Sequence, residues 1–196
     1  MQKLYAYLLS VAFSLIAVSG FSQLSGNYTI NPSGSGSTNY KTFAAAVSAL
    51  NSSGVSGPVV FNIAFGTYTE QVNLNYVSGS STTNTITFKG TDSSRVTLQY
   101  DCSRYDAVVK VNAAANFVFR GMTIKSTNNT YGYGIHMTSG AENVTVRNCV
   151  VEVASRTGVN VDCIPINVAG VTYATYGGNG EDVEISNCLI KGGYFG

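Results

Sequence analysis

Apolar and polar side chains alternate along three aligned segments in the second half of the chain, residues 116–124 (NFVFRGMTI), 143–151 (NVTVRNCVV) and 182–190 (DVEISNCLI). A period of two marks strands with one buried face. The alternation turns Phe117 and Phe119, Val144 and Val146, and Val183 and Ile185 inward. Val118 and Arg120, Thr145 and Arg147, and Glu184 and Ser186 then face out. After a bend, Met122 and Ile124, Cys149 and Val151, and Cys188 and Ile190 point inward again. The bend itself holds Gly121, Asn148 and Asn187, the residue types that tolerate a left-handed backbone. Asn148 and Asn187 are placed to share side-chain amide hydrogen bonds. The segments begin 27 and 39 residues apart, and a fainter copy at residues 86–90 (ITFKG) precedes the first by 31. Such spacings suit one coil of a β-solenoid, with insertions absorbed in loops.

A third class of strand fits between these segments, at residues 108–111, 134–137 and 158–162, with Val109 and Val111, Ile135 and Met137, and Val159 and Val161 inward. Each coil then contributes about six inward apolar side chains, each worth ~1.5–3 kcal/mol when buried. One coil cannot bury that face alone, so neighbours must stack about 4.8 Å apart. Upstream, residues 28–30 and 59–64 read as strands. Residues 40–51 read as a helix, because Phe43, Ala46, Val47 and Leu50 form one apolar stripe. Thr38 or Asn39 is placed to cap its start and Gly54 to close it.

The first residues form a separate element. Lys3, an apolar stretch over residues 4–18 and the small residues Ser19, Gly20 and Ser22 have the pattern of a secretory signal peptide. Residues 1–22 are therefore expected to be a leader and residues 23–196 a single domain, secreted or displayed at the cell surface. No later apolar run approaches a membrane span. Charged residues make up 11% of the chain, against the usual ~25%, and the net charge is +1. That balance disfavours nucleic acid as a partner and leaves neutral polar ligands such as sugars open.

The Asn-Cys pair followed by apolar residues, with a Gly-Ile or Gly-Val strand before it, resembles the parallel β-helix repeat of pectate lyases, polygalacturonases and pectinesterases. It is similar as well to exported β-helix proteins of gliding Bacteroidetes-type bacteria. The front of the chain resembles pectinesterase starts: YKTF at residues 40–43, GTYTE at 66–70 and ITFKG at 86–90. The resemblance implies an all-β fold, a right-handed parallel β-helix of the pectin-lyase-like type, with the helix capping its N-terminal end. The catalytic segments of pectinesterases are missing, as are the clustered Asp residues of polygalacturonases and the acidic calcium ligands of pectate lyases. No catalytic residue carries over. Residue 196 follows closely on a repeat strand, so the domain is expected to be truncated there.

The outward face of the third strand class is the leading candidate surface. In register, Lys110, His136 and Asn160 line up, with Asn112, Thr138 and Asp162 in the next row. Tyr131 and Tyr133 flank Gly132 just before, and their rings could stack on sugar faces; Arg104 with Tyr105, and Tyr173 with Tyr176, extend that idea. A lone His and a lone Asp fall short of the two carboxyl groups of glycoside hydrolysis. The four cysteines, Cys102, Cys149, Cys163 and Cys188, lack metal-ligand spacing; Cys149 and Cys188 share one repeat position and stack in consecutive coils, where free thiols are favoured and a disulfide is the alternative. No metal or cofactor is expected. The sequence thus predicts a non-catalytic, carbohydrate-binding or adhesin-like solenoid. The rival reading is a polysaccharide lyase or esterase whose catalytic coils lie beyond residue 196.

Overall fold

The alternation is realised as strands that return to the same three sheets, coil after coil. A computed structural model describes residues 22–155, 162–170 and 178–193. The first strands are β1 (Leu24–Ile30) and β2 (Asn39–Tyr40), followed by the helix α1 (Phe43–Ser53). β3 (Val55–Ile63), β4 (Gly66–Thr69), β5 (Val72–Leu74), β6 (Ile86–Gly90), β7 (Val96–Tyr100) and β8 (Ala107–Asn112) come next. β9 (Ala115–Arg120), β10 (Thr123–Ser126), β11 (Gly132–Thr138), β12 (Glu142–Arg147), β13 (Val150–Ser155), β14 (Cys163–Val168), β15 (Glu181–Ser186) and β16 (Leu189–Gly193) complete the order.

Sheet one runs β15-β12-β9-β6-β3-β1-β2, sheet two β16-β13-β10-β7-β4 and sheet three β14-β11-β8-β5. Every pairing is parallel. The result is a parallel β-solenoid of about five turns. Among the described residues no helix is long and apolar enough to cross a membrane. The expected leader lies outside the described residues except for Ser22.

Register follows the sequence repeats. Phe117 pairs with Val144 and Phe119 with Val146, and Val144 and Val146 pair in turn with Val183 and Ile185. The first two copies bury their inward residues fully or nearly so: Phe117, Phe119, Met122, Ile124, Val144, Val146, Cys149 and Val151. In the third copy Ile185, Leu189 and Ile190 stay exposed, since β15 and β16 end their sheets. All four thiols are free. Burial pushes Cys102 up to about 12 and Cys149 up to about 11, so both stay protonated and weakly nucleophilic near neutral pH.

The bends take the backbone the repeat requires. Gly121, Asn148 and Asn187 have φ of 67°, 52° and 51°. A second column stands at the first repeat position, where Asn116, Asn143 and Asp182 have φ of 67°, 50° and 49°. There the Asn143 Nδ2 donates to the Asn116 Oδ1 at 2.8 Å, the amide ladder anticipated at the other column.

Two local expectations are corrected. α1 begins at Phe43 and is capped by Thr42, whose hydroxyl accepts from the Ala45 N–H at 3.0 Å; Asn39 instead sits in β2 and donates to the Asn31 carbonyl. The Glu70 carboxylate reaches the same helix start and accepts from the Phe43 and Ala44 N–H groups at 3.2 and 2.9 Å, complementing the positive end of the helix dipole. Gly54 closes the helix at φ 65°, its N–H donating to the Leu50 carbonyl, and Phe43, Ala46, Val47 and Leu50 join the solenoid core. Second, the third strand of the third class is Cys163–Val168, after the expected residues 158–162. It contains Pro165, and among the described residues β14 is the last strand of its sheet, where a residue without an N–H is tolerated. Gly158 to Val161 lie outside the described residues, as do Tyr173 and Tyr176.

Candidate functional site

Sheet three sets its outward side chains in rows, because parallel pairing stacks residue on residue. Asn73 pairs with Lys110, Lys110 with His136 and His136 with Asn167. Asn167 therefore occupies the place expected for Asn160, which lies outside the described residues. Asn112 pairs with Thr138 in the next row, and the Asn112 Nδ2 donates to the Asn75 Oδ1 at 3.2 Å. Asp162 is not in that row. It precedes β14, and its carbonyl accepts from the Gly132 N–H at 2.9 Å at the opposite end of β11.

The row changes character along its length. Asn73 and Asn75 are exposed, Lys110 and Asn112 half-buried, and His136, Thr138 and Asn167 buried. All seven residues of β11 are buried, so His136 and Tyr133 do not form the open face the alternation implied. The His136 Nε2 faces the Gly170 carbonyl at 2.8 Å. A carbonyl only accepts, so the neutral ring carries its proton on Nε2, and Nδ1 is left as a buried acceptor without a donor. The Asn167 Nδ2 and the Thr138 Oγ1 are likewise buried without partners. The Tyr133 ring meets His136 edge-on, 5.2 Å between centroids at 80°.

Tyr131 is half-buried, and its N–H donates to the Asn128 Oδ1 at 2.9 Å. The acidic groups beside this face are already engaged. Asp162 pairs with the Arg104 Nε at 2.8 Å, and Arg104 also lies over the Tyr105 ring. Asp106 accepts from the Gln71 Nε2 and from the Ala107 N–H. The geometry brings Lys110 and His136 into one row, with Tyr133 against the His136 ring, and sets Tyr131 and Asp162 at the start of β11.

Two residues of this face escaped the sequence reading, Asn73 and Asn75, and so did the exposed Tyr76 that follows them in the chain. Tyr76 follows β5 and is 70% exposed, next to the Asn75 that bonds Asn112. The signal was present in the alternation of buried Val72 and Leu74 with Asn73 and Asn75.

Burial holds the His136 imidazolium below its ordinary value, with the nearby Lys110 charge acting in the same direction and the Gly170 carbonyl opposing. The unfolded chain therefore binds more protons as pH falls below about 6.5. The stability that neutral His136 contributes is fully present above that pH and is lost as pH falls toward the lower, folded pKa. Urea midpoints of the wild-type chain are expected to drop between pH 7.5 and 5 more steeply than those of His136→Gln. Parallel profiles would show that His136 is not held neutral.

A scan against models of known protein families matches none, and a search of the curated proteins finds no similar sequence.

Proposed function

We propose that this chain is a secreted or cell-surface β-solenoid that binds carbohydrate without transforming it, in the manner of an adhesin or binding scaffold. The observation that carries the reading is the open part of sheet three. Asn73, Asn75 and Asn112 offer amide donors and acceptors, Lys110 a flexible cation, and Tyr76 a freely exposed ring. Amides beside an accessible aromatic face match the chemistry of a neutral sugar, whose hydroxyls seek hydrogen bonds and whose apolar ring face seeks an aromatic surface. The leader-like N-terminus and the low share of charged residues support the extracytoplasmic setting. Tyr133 and His136 are buried within β11 and stand apart from this open surface.

Affinity electrophoresis of the full chain through gels cast with neutral polysaccharides tests the reading. Retardation by at least one polymer is expected, with Tyr76→Ala weakening it about tenfold, the equivalent of ~1.4 kcal/mol for one lost ring contact. Migration unchanged by every neutral polymer, or equal retardation of Tyr76→Ala, would remove this surface from consideration.

A further inference from the structure

Sheet one carries a charge pattern that folding alone does not explain. Lys89 pairs in register with Arg120 and Arg120 with Arg147, which places three cations on successive rungs about 4.8 Å apart. Like charges directly opposite one another across strands are destabilising. Among the described residues, none of the three forms an ion pair. The nearest carboxylate on the adjoining strand is Glu184, paired with Thr145 and so two residues along from the Arg147 rung; it accepts from the Ser186 hydroxyl at 2.8 Å. Asp92, beyond the end of β6, is bound by the N–H and hydroxyl of Ser94.

Two further features converge on this row. The Arg120 Nε is buried and has no hydrogen-bond partner, an arrangement whose desolvation cost stays unrecovered until an acceptor arrives. Beside it lies a surface hollow of about 290 Å³ lined by Lys89, Gly90, Thr91, Arg120, Gly121 and Asn148. A hollow edged by a guanidinium, an ammonium, a hydroxyl and an amide is donor-rich, as an oxyanion requires.

We propose that the Lys89, Arg120 and Arg147 row is a binding site for an acidic polysaccharide, whose carboxylate or sulfate groups lie on successive rungs with one seated in the hollow against Arg120. A sugar unit advances along its chain by about one rung, so a linear polymer running parallel to the solenoid axis meets each cation in turn. A net charge of +1 gives no general field for nucleic acid, so recognition here is local and geometric. The row is on a different sheet from the Tyr76 face and stands independently of it.

The test uses the full chain against polygalacturonate, dextran sulfate, uncharged dextran, inorganic sulfate and duplex DNA. Retardation by polygalacturonate or dextran sulfate is expected and by uncharged dextran at this row is not. Arg120→Gln should weaken the binding at least tenfold, Lys89→Gln with Arg147→Gln should abolish it, and Tyr76→Ala should leave it intact. Added salt should weaken it in step with about three neutralised charges. The melting temperature of Arg120→Gln should equal or exceed that of the wild type, because a like-charge contact is relieved; a purely structural arginine would lower it. The proposal is overturned by polyanion binding that Arg120→Gln does not change, by no polyanion binding, by a response to inorganic sulfate alone, or by duplex DNA binding as tightly as either polymer.

Discussion

Phe88→Ala is expected to lower the unfolding free energy by about 3–5 kcal/mol, the range for truncating a buried aromatic. Phe88 is fully buried. Its ring stacks between Phe61, 5.2 Å away at 19°, and Phe119, 5.7 Å away at 7°, with Phe43 of α1 a third neighbour at 5.7 Å. The column threads three consecutive coils and ties the helix to them, so the vacated space borders coils on both sides and cannot close by one side chain moving. Beyond the transfer of the ring, the variant loses aromatic pairings worth ~0.5–1.5 kcal/mol each. Phe88→Leu keeps most of the volume and should lose clearly less. Urea unfolding followed by circular dichroism measures both. A loss for Phe88→Ala under about 1.5 kcal/mol, or equality of the two variants, would mean that the column does not hold the coils together.

The same column shows why so much of the fold was legible. Phe88, Phe119 and Val146 sit at one repeat position, and β-solenoid burial depends only on alternation within a strand and on spacing between strands. Both are written in the sequence without reference to distant residues. The left-handed bends at Gly121, Asn148 and Asn187 were legible for a related reason, since few residue types accept that backbone. Where a competing local rule intervened, the reading failed. Thr42 displaced Thr38 and Asn39 as the helix cap because β2 claims Asn39 for pairing with Thr29.

The candidate face was less legible, and His136 explains it. Alternation assigns a residue to one side of a strand; it does not say whether a loop lies over that side. His136 faces away from the core as expected, yet the Gly170 carbonyl reaches it and no surface remains. Tyr76 is the converse: outside any periodic segment it carried no signal, and only the fold reveals it as an exposed ring, one residue after Asn75. Arg120 and Arg147 were assigned outward correctly, but their stacking with Lys89 emerges only when the registers of three strands are known.

Gly121→Asn is expected to cost about 1–3 kcal/mol from overpacking, since asparagine itself accepts the left-handed backbone. The substitution makes this coil read like the next two, which hold Asn148 and Asn187, so sequence similarity alone predicts a neutral or favourable change. The surroundings differ. A Cβ on Gly121 would lie 2.3 Å from the Gly90 carbonyl oxygen, and one on Gly90 would lie 2.2 Å from the Gly121 oxygen. Two glycines let these coils approach backbone to backbone, and a rigid carbonyl cannot step aside as a flexible side chain would. Asn148 tolerates its side chain at φ 52°, so Asn148→Gly should stay within about 1 kcal/mol of wild type. Urea midpoints of the two variants separate the accounts: a Gly121→Asn chain as stable as the wild type would mean that the bends are interchangeable, whereas a large loss confined to Gly121 shows that each coil's bend is fitted to the backbone of the coil before it.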